Sequence, residues 1–214
     1  MNNIWLIRHG ESHSNIGKKT MHPAMSSLTV TGSLQSENIA DYIDIQPDII
    51  IHSPYIRTLQ SAQPTINKFP GATVDEWPVQ EFIYLPHEKY LNSTQSDREP
   101  AVDEYWKQCD SWQKNSDEAE SFIEFFDRMD IIFQQLKHIN GHAIVFTHGH
   151  VIRAMIWKII TGSLQKDKIG MEKYRSLRHA LYIPNAVILK INMDGSDLCM
   201  SQMITTHLNP KLLT

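Results

Sequence analysis

Three short apolar runs in this chain each end in polar residues and lead into a segment with helical spacing. The runs span Ile4–Arg8, Asp48–His52 and His142–Thr147. Each is too short for a buried helix and reads as a strand hidden on both faces. Strand, turn and helix repeated in this order require a largely parallel sheet, because a parallel crossover lays its helix over a sheet face. The expected helices cover about Gly32–Asp44, a segment opening at Ser53-Pro54, and a segment after His148-Gly149-His150 that runs to about Ile160. Serine suits an N-cap and proline the first helical position. Pro64 is expected to kink or end the second helix early, since it lacks an N–H and clashes with the preceding turn.

Further elements follow the same logic. Thr73–Trp77 reads as a shorter strand. Phe122, Phe125, Phe126, Met129, Ile132, Phe133, Leu136 and Ile139 recur at helical spacing within about Glu118–His138. That stripe reads as core, with Asp117 and Glu120 as a capping box. Leu85 to about Asp103 has little periodicity and precedes a helix around Asp103–Gln113. The stretch reads as a lid insertion, about 85–117, within one domain spanning 1–214. Ala186–Asn192 and Asp197–Thr205 flank Met193-Asp194-Gly195-Ser196, a predicted hairpin turn. The tail beyond His207 is expected to be weakly ordered.

Charge narrows the partners. The 214 residues carry a formal net charge of −4, so no global positive field draws nucleic acid or an anionic membrane surface. The longest apolar stretch, Val151–Ile160, is broken by Arg153 and Lys158 and is too short to span a bilayer. Cys109 and Cys199 form no motif, which points to reduced thiols. Met1-Asn2-Asn3 passes straight into a strand without a basic leader. A cytoplasmic protein, monomeric or homodimeric, is expected.

The chemistry sits at the strand ends, where open α/β sheets bind ligands. The first strand ends at Arg8-His9-Gly10-Glu11, the second leads to Arg57, and the third ends at His148-Gly149. A neutral imidazole is a competent nucleophile, and a guanidinium fork matches phosphate oxygens. If the strands are neighbours, two arginines and two histidines converge. This suits histidine-based phosphoryl transfer, for which an enzyme must lower the barrier by on the order of 20 kcal/mol or more. Glu81 is the candidate proton donor, with a pKa expected to rise among apolar neighbours. Asp75, Glu76 and Glu88 compete for that role on spacing alone. His22, His52, His87, His138, His142, His179 and His207 read as solvated or core residues, His13 and His150 as bystanders or rim. No metal is expected, and a His148–His150 metal pair lacks a third ligand.

The ordered set Arg8-His9-Gly10-Glu11-Ser12 with Asn15, Ser53-Pro54-Tyr55-Ile56-Arg57-Thr58, Glu81, and Thr147-His148-Gly149-His150-Val151-Ile152-Arg153 closely resembles the histidine phosphatase superfamily, the phosphoglycerate-mutase-like fold. The resemblance runs from about residue 3 to 190. It implies a three-layer α/β fold, mostly parallel, with an antiparallel edge strand. It implies His9 as the phosphorylated histidine, Arg8, Asn15, Arg57, His148 and Gly149 around the phosphate, Glu81 as acid/base, and no cofactor. Arg98 is a candidate substrate contact from the lid.

Two departures favour a phosphatase over a mutase. Ile16-Gly17-Lys18-Lys19-Thr20-Met21-His22-Pro23 replaces the loop signature that mutases of this family carry. Phe82-Ile83-Tyr84-Leu85 is apolar where mutases carry arginines. The expected activity is metal-independent hydrolysis of a small phosphorylated metabolite. The alternatives are a mutase-type phosphotransferase and a non-catalytic module that binds a phosphorylated ligand.

Overall fold

A computed structural model describes residues 2–194 and 197–214. Six strands form one mixed sheet in the order β3-β2-β4-β1-β5-β6. They are β1 (Asn2–Arg8), β2 (Ile49–His52), β3 (Thr73–Glu76), β4 (His142–Thr147), β5 (Ile188–Asp194) and β6 (Asp197–Met200). The first four strands run parallel, with β4 central, paired to β1 on one side and β2 on the other. β5 and β6 add antiparallel strands at one edge. The expected fold class is therefore observed.

The period-two pattern of β1 divides the core. Ile4 and Leu6 face one layer, where they pack with the helices α3 (Gln95–Gln108), α4 (Phe122–Lys137), α5 (Gly149–Thr161) and α6 (Lys168–Ala180). Trp5 and Ile7 face the other, with α1 (Val30–Tyr42) and α2 (Ile56–Lys68). Alternate residues of a strand point to opposite faces, and here both faces are apolar because both are covered. The α4 stripe from Phe122 to Leu136 is buried as its spacing predicts. Among the described residues, no helix is long and apolar enough to cross a membrane.

Several boundaries depart from the sequence reading, each for a local reason. Ser53 does not cap α2, which starts at Ile56 after Tyr55. The Ser53 hydroxyl is instead engaged by the Tyr55 N–H, Thr58 and His148. Pro64 neither ends nor shortens α2, which continues to Lys68. Gln60, whose carbonyl loses its helical partner, is exposed to solvent. The capping box of α4 is Ser121 with Glu124, not Asp117 with Glu120. Glu120 is gripped by both sides of the Arg128 fork at 2.6 Å.

The stretch expected to lack structure holds a 3₁₀ turn, His87–Tyr90, and then α3, which opens on a Thr94–Asp97 capping box and carries Pro100 inside it. α3 ends at Gln108, so the expected helix at Asp103–Gln113 is shifted towards the N-terminus. β6 is shorter than the expected Asp197–Thr205, and the predicted turn residues Gly195 and Ser196 lie outside the described residues. The tail is docked rather than loose. Leu208 is buried, and Gln35 Nε2 donates to the Leu212 carbonyl and to Thr214 Oγ1.

The loop after β1 lies hard against the first turn of α1. A Cβ on Gly32 would stand 2.0 Å from the Glu11 carbonyl oxygen, and one on Gly10 would stand 2.5 Å from that of Gly32. Only two glycines allow this approach. Gly32→Ala is therefore expected to lower unfolding free energy by about 2–3 kcal/mol. Gly71→Ala, where a Cβ meets nothing closer than 3.9 Å, should be near neutral. Urea titrations of both variants check the contrast, and equal stabilities would contradict it.

Candidate active site

Because β2, β4 and β1 are adjacent and parallel, their carboxyl ends open on one side of the sheet. His9 directly follows β1 and its N–H bonds the Thr147 carbonyl at 3.0 Å. His148 directly follows β4, and Arg57 stands in the first turn of α2, just beyond β2. All three side chains are buried. The His9 carbonyl is itself held, by the Ala186 N–H at 3.2 Å and by Asn185 Nδ2 at 3.1 Å.

The guanidinium of Arg57 joins the two imidazoles. Its Nε donates to His9 Nε2 at 3.1 Å, its Nη2 to His148 Nδ1 at 3.1 Å, and its Nη1 to the Pro23 carbonyl at 2.6 Å. An arginine only donates, so both ring nitrogens it touches are unprotonated. The His9 proton therefore sits on Nδ1 and is given to the Gly10 carbonyl at 2.7 Å. The His148 proton sits on Nε2 and is given to Ser53 Oγ at 2.8 Å. Burial, then Arg57 and other nearby positive charge, pushes both histidines well below their ordinary pKa. Both are neutral at neutral pH, with lone pairs facing the same fork.

Around this centre stand the other expected residues. Arg8 gives one nitrogen to the Ile183 carbonyl, while its buried Nε has no partner. Asn15 accepts at Oδ1 from the Ser12 N–H, the Ser12 hydroxyl and Asn185. That leaves its amide nitrogen as the donor at the cavity wall it helps to form. A methyl on Gly149 would lie 3.8 Å from Glu81 Oε2 and 3.9 Å from Arg8 Nε. A carboxylate, a guanidinium and the start of α5 thus meet at one point.

Glu81 departs from expectation in its charge. Its Oε1 accepts from the His150 N–H at 3.0 Å and the Phe82 N–H at 3.1 Å. Burial alone would raise its pKa. Attraction to Arg57 and Arg8, with the His150 N–H bond, outweighs burial and holds it below the ordinary carboxylate value. The start of α5 adds partial positive charge of its own. The resting group is a carboxylate, not the raised acid that apolar neighbours alone would produce.

Of the residues that hold Glu81 in place, Arg128 carried no signal in the sequence. Thr147 Oγ1 donates to the Val79 carbonyl at 2.7 Å, and Arg128, on the aromatic helix α4, donates to the carbonyls of Pro78 and Gln80. His150 is no bystander. Its N–H clamps Glu81, and its ring stacks on Trp106 with an interplanar angle of 2°. Burial drives the ring's pKa down to about 4.

Arg8, His9, Asn15, Arg57, Glu81 and His150 line a cavity of about 690 Å³. Arg98, Arg153 and Arg178 line it beyond the cup, with Glu99 and Asp103. Arg98 is tied back to Ser93 and to Thr20 rather than to the His9 cup.

The profile of the histidine phosphatase superfamily (branch 1) matches residues 4–192. No functionally curated protein matches the sequence. Phosphoserine phosphatase from Entamoeba histolytica, solved with 3-phosphoglyceric acid, superposes with a TM-score of 0.71 at 22% identity, over 98% of this chain and 100% of that one. A putative alpha-ribazole-5'-P phosphatase from Escherichia coli gives 0.73 at 18% identity, over 96% and 98%. Mycobacterial glucosyl-3-phosphoglycerate phosphatase gives 0.65 at 17%, over 88% and 89%. At these identities the likeness is one of fold.

The buried neutral histidines make stability depend on pH. In the unfolded chain each returns to its ordinary value of 6.5. Below that value the unfolded chain binds more protons than the native state, so stability rises with pH. The urea midpoint is expected to fall between about pH 7 and pH 5, each histidine adding a limiting slope of about 1.4 kcal/mol per pH unit. His148→Gln should flatten the profile. A wild-type midpoint constant across that window would contradict the assignment.

Proposed function

The chain belongs to the histidine phosphatase superfamily, branch 1, and from that premise we propose that it hydrolyses small phosphate monoesters through a phosphohistidine at His9. One observation carries the reading: the Arg57 fork sits between the unprotonated Nε2 of His9 and Nδ1 of His148. A phosphoryl group entering there meets a lone pair on one side and fixed cationic donors around its oxygens. Such preorganised charge supplies much of the rate in phosphoryl transfer.

The steps balance with this chain's own groups. His9 Nε2 attacks phosphorus in line. An N–P bond forms as the ester P–O bond breaks, and the departing alkoxide takes a proton from Glu81. Water then attacks the phosphohistidine and gives its proton to the Glu81 carboxylate. Inorganic phosphate leaves and His9 is restored. Glu81 gains its first proton as substrate binds, because the phosphate dianion offsets the Arg8 and Arg57 charge that otherwise depresses its pKa. Acid, base and nucleophile all come from side chains, so neither half-reaction calls for a metal.

The cavity indicates the substrate class. Its 690 Å³ suits a metabolite. Arg98, Arg153 and Arg178 outnumber Glu99 and Asp103 along its wall, which favours a phosphoester bearing a second anionic group. Two of the structural neighbours are named for, or were solved with, phosphorylated acids of this type. The segment 85–117 is the cover that shapes this space. Phe82 after Glu81 is buried against Phe125 with ring centroids 4.5 Å apart, so no substrate-binding cation occupies that position as it does in mutases.

Rapid-quench labelling tests the nucleophile. Acid-labile phosphoenzyme is expected in the wild type and absent in His9→Ala, and a labelled His9→Ala would refute the scheme. In single turnovers, Glu81→Gln should slow phosphoenzyme formation from alkyl phosphates by about 10²–10⁴-fold, with a much smaller loss in the same step for p-nitrophenyl phosphate, whose leaving group needs no proton. Equal losses in that step would remove Glu81 from the acid role. Arg178→Ala is expected to raise KM for carboxylate-bearing phosphoesters about tenfold and to leave p-nitrophenyl phosphate nearly unchanged. Equal effects on both substrates would deny it the specificity role.

A further inference from the structure

Three side chains from separate segments face one another beside the cavity, whose wall includes His87. His22 closes the loop after β1, His87 begins the 3₁₀ turn His87–Tyr90, and Glu118 lies between α3 and α4. One donor atom from each lies within 4.8 Å of the others. His87 Nε2 and Glu118 Oε2 are 3.0 Å apart, and the His22 and His87 rings meet edge to face with centroids 4.5 Å apart. None of the three bonds to His9, Arg57 or His148.

We propose that His22, His87 and Glu118 bind a divalent ion of the zinc class and so clip the loop after β1 to the segment covering the cavity. Two imidazoles and a carboxylate, with water in the fourth place, form a donor set that zinc takes readily. Imidazole nitrogen disfavours magnesium and calcium, which take oxygen ligands. Zinc-bound nitrogen and oxygen atoms stand roughly 3.4 Å apart in a tetrahedron, so the cluster has little distance to close. Glu118, with two-thirds of its side chain exposed, is free to swing inward. If His87 ligates through Nε2, its Nδ1–H turns to Glu88 Oε2, now 3.6 Å away. A carboxylate behind a ligating histidine fixes its tautomer and raises its basicity.

Occupation of the site reaches the phosphate cup through two residues. His22 Nδ1 accepts from the Ala24 N–H at 3.1 Å. A neutral metal-bound imidazole carries its proton on the other nitrogen, so ligation through either atom displaces that N–H. The turn it caps includes Pro23, whose carbonyl accepts from Arg57. Metal binding therefore changes a turn that orients the guanidinium. The two segments already touch through Thr20, whose N–H bonds the Ser93 carbonyl and whose carbonyl accepts the Asn92 N–H. The ion adds a fixed second point.

The test is zinc calorimetry and cobalt absorption spectroscopy on the full chain, with tungstate filling the His9 cup. It does not rest on the phosphatase reading, because neither measurement uses turnover. One ion per chain is expected, with a four-coordinate cobalt spectrum and a zinc-dependent rise in Tm. His22→Ala, His87→Ala and Glu118→Gln should each bind at least about tenfold more weakly, while the surface variant His138→Ala binds normally. His22→Gln and His87→Gln replace the alanine variants if those fail to fold. Absent binding in the wild type, binding unchanged in all three variants, or binding abolished by tungstate would overturn the proposal.

Discussion

A permanent positive charge buried between two lone pairs organises this molecule. Arg57 is removed from water, and burial lowers its pKa to about 10. Unpaired burial of a guanidinium is strongly unfavourable. Here His9, His148 and the Pro23 carbonyl accept from three of its nitrogens, and the Tyr55 ring lies 4.7 Å from its carbon. The same contacts dictate the protonation of both histidines. A charge that must be satisfied thus selects the tautomer of both histidines and leaves His9 Nε2 unprotonated.

The second constraint is the position of Glu81. It lies outside any strand or helix, so its place depends on distant partners. Thr147 at the end of β4 and Arg128 on α4 hold the carbonyls of residues 78–80, while the start of α5 takes the carboxylate. The aromatic helix α4 therefore has a role beyond filling the core. Glu120 fixes the Arg128 fork, and Arg128 fixes the carbonyls of Pro78 and Gln80 just before Glu81. Packing and chemistry share one set of bonds.

Above the cup, the loop after β1 and the segment 85–117 meet across the cavity mouth. They bond at Thr20, Asn92 and Ser93, and His22 and His87 bring their rings together beside them. Pro23 links the two levels, since it lines the cavity and accepts from Arg57.

The sheet and the gathering of Arg8, His9, Arg57 and His148 at one end of it were legible in the sequence. Apolar runs ending in Arg8-His9, His52-Ser53 and Thr147-His148 place polar groups at strand ends, and parallel pairing leaves those ends on one side of the sheet. Helix boundaries were less legible. Ser53, Glu120 and Pro64 each looked decisive alone, but their bonds or their exposure to water depend on partners far along the chain. The protonation of Glu81, the clamp made by His150 and the anchoring by Arg128 belong wholly to the tertiary structure. Side-chain pattern is a local property and sets which elements form. Desolvation and electric field are sums over neighbours that only the folded chain brings together, so they alone decide which groups hold charge.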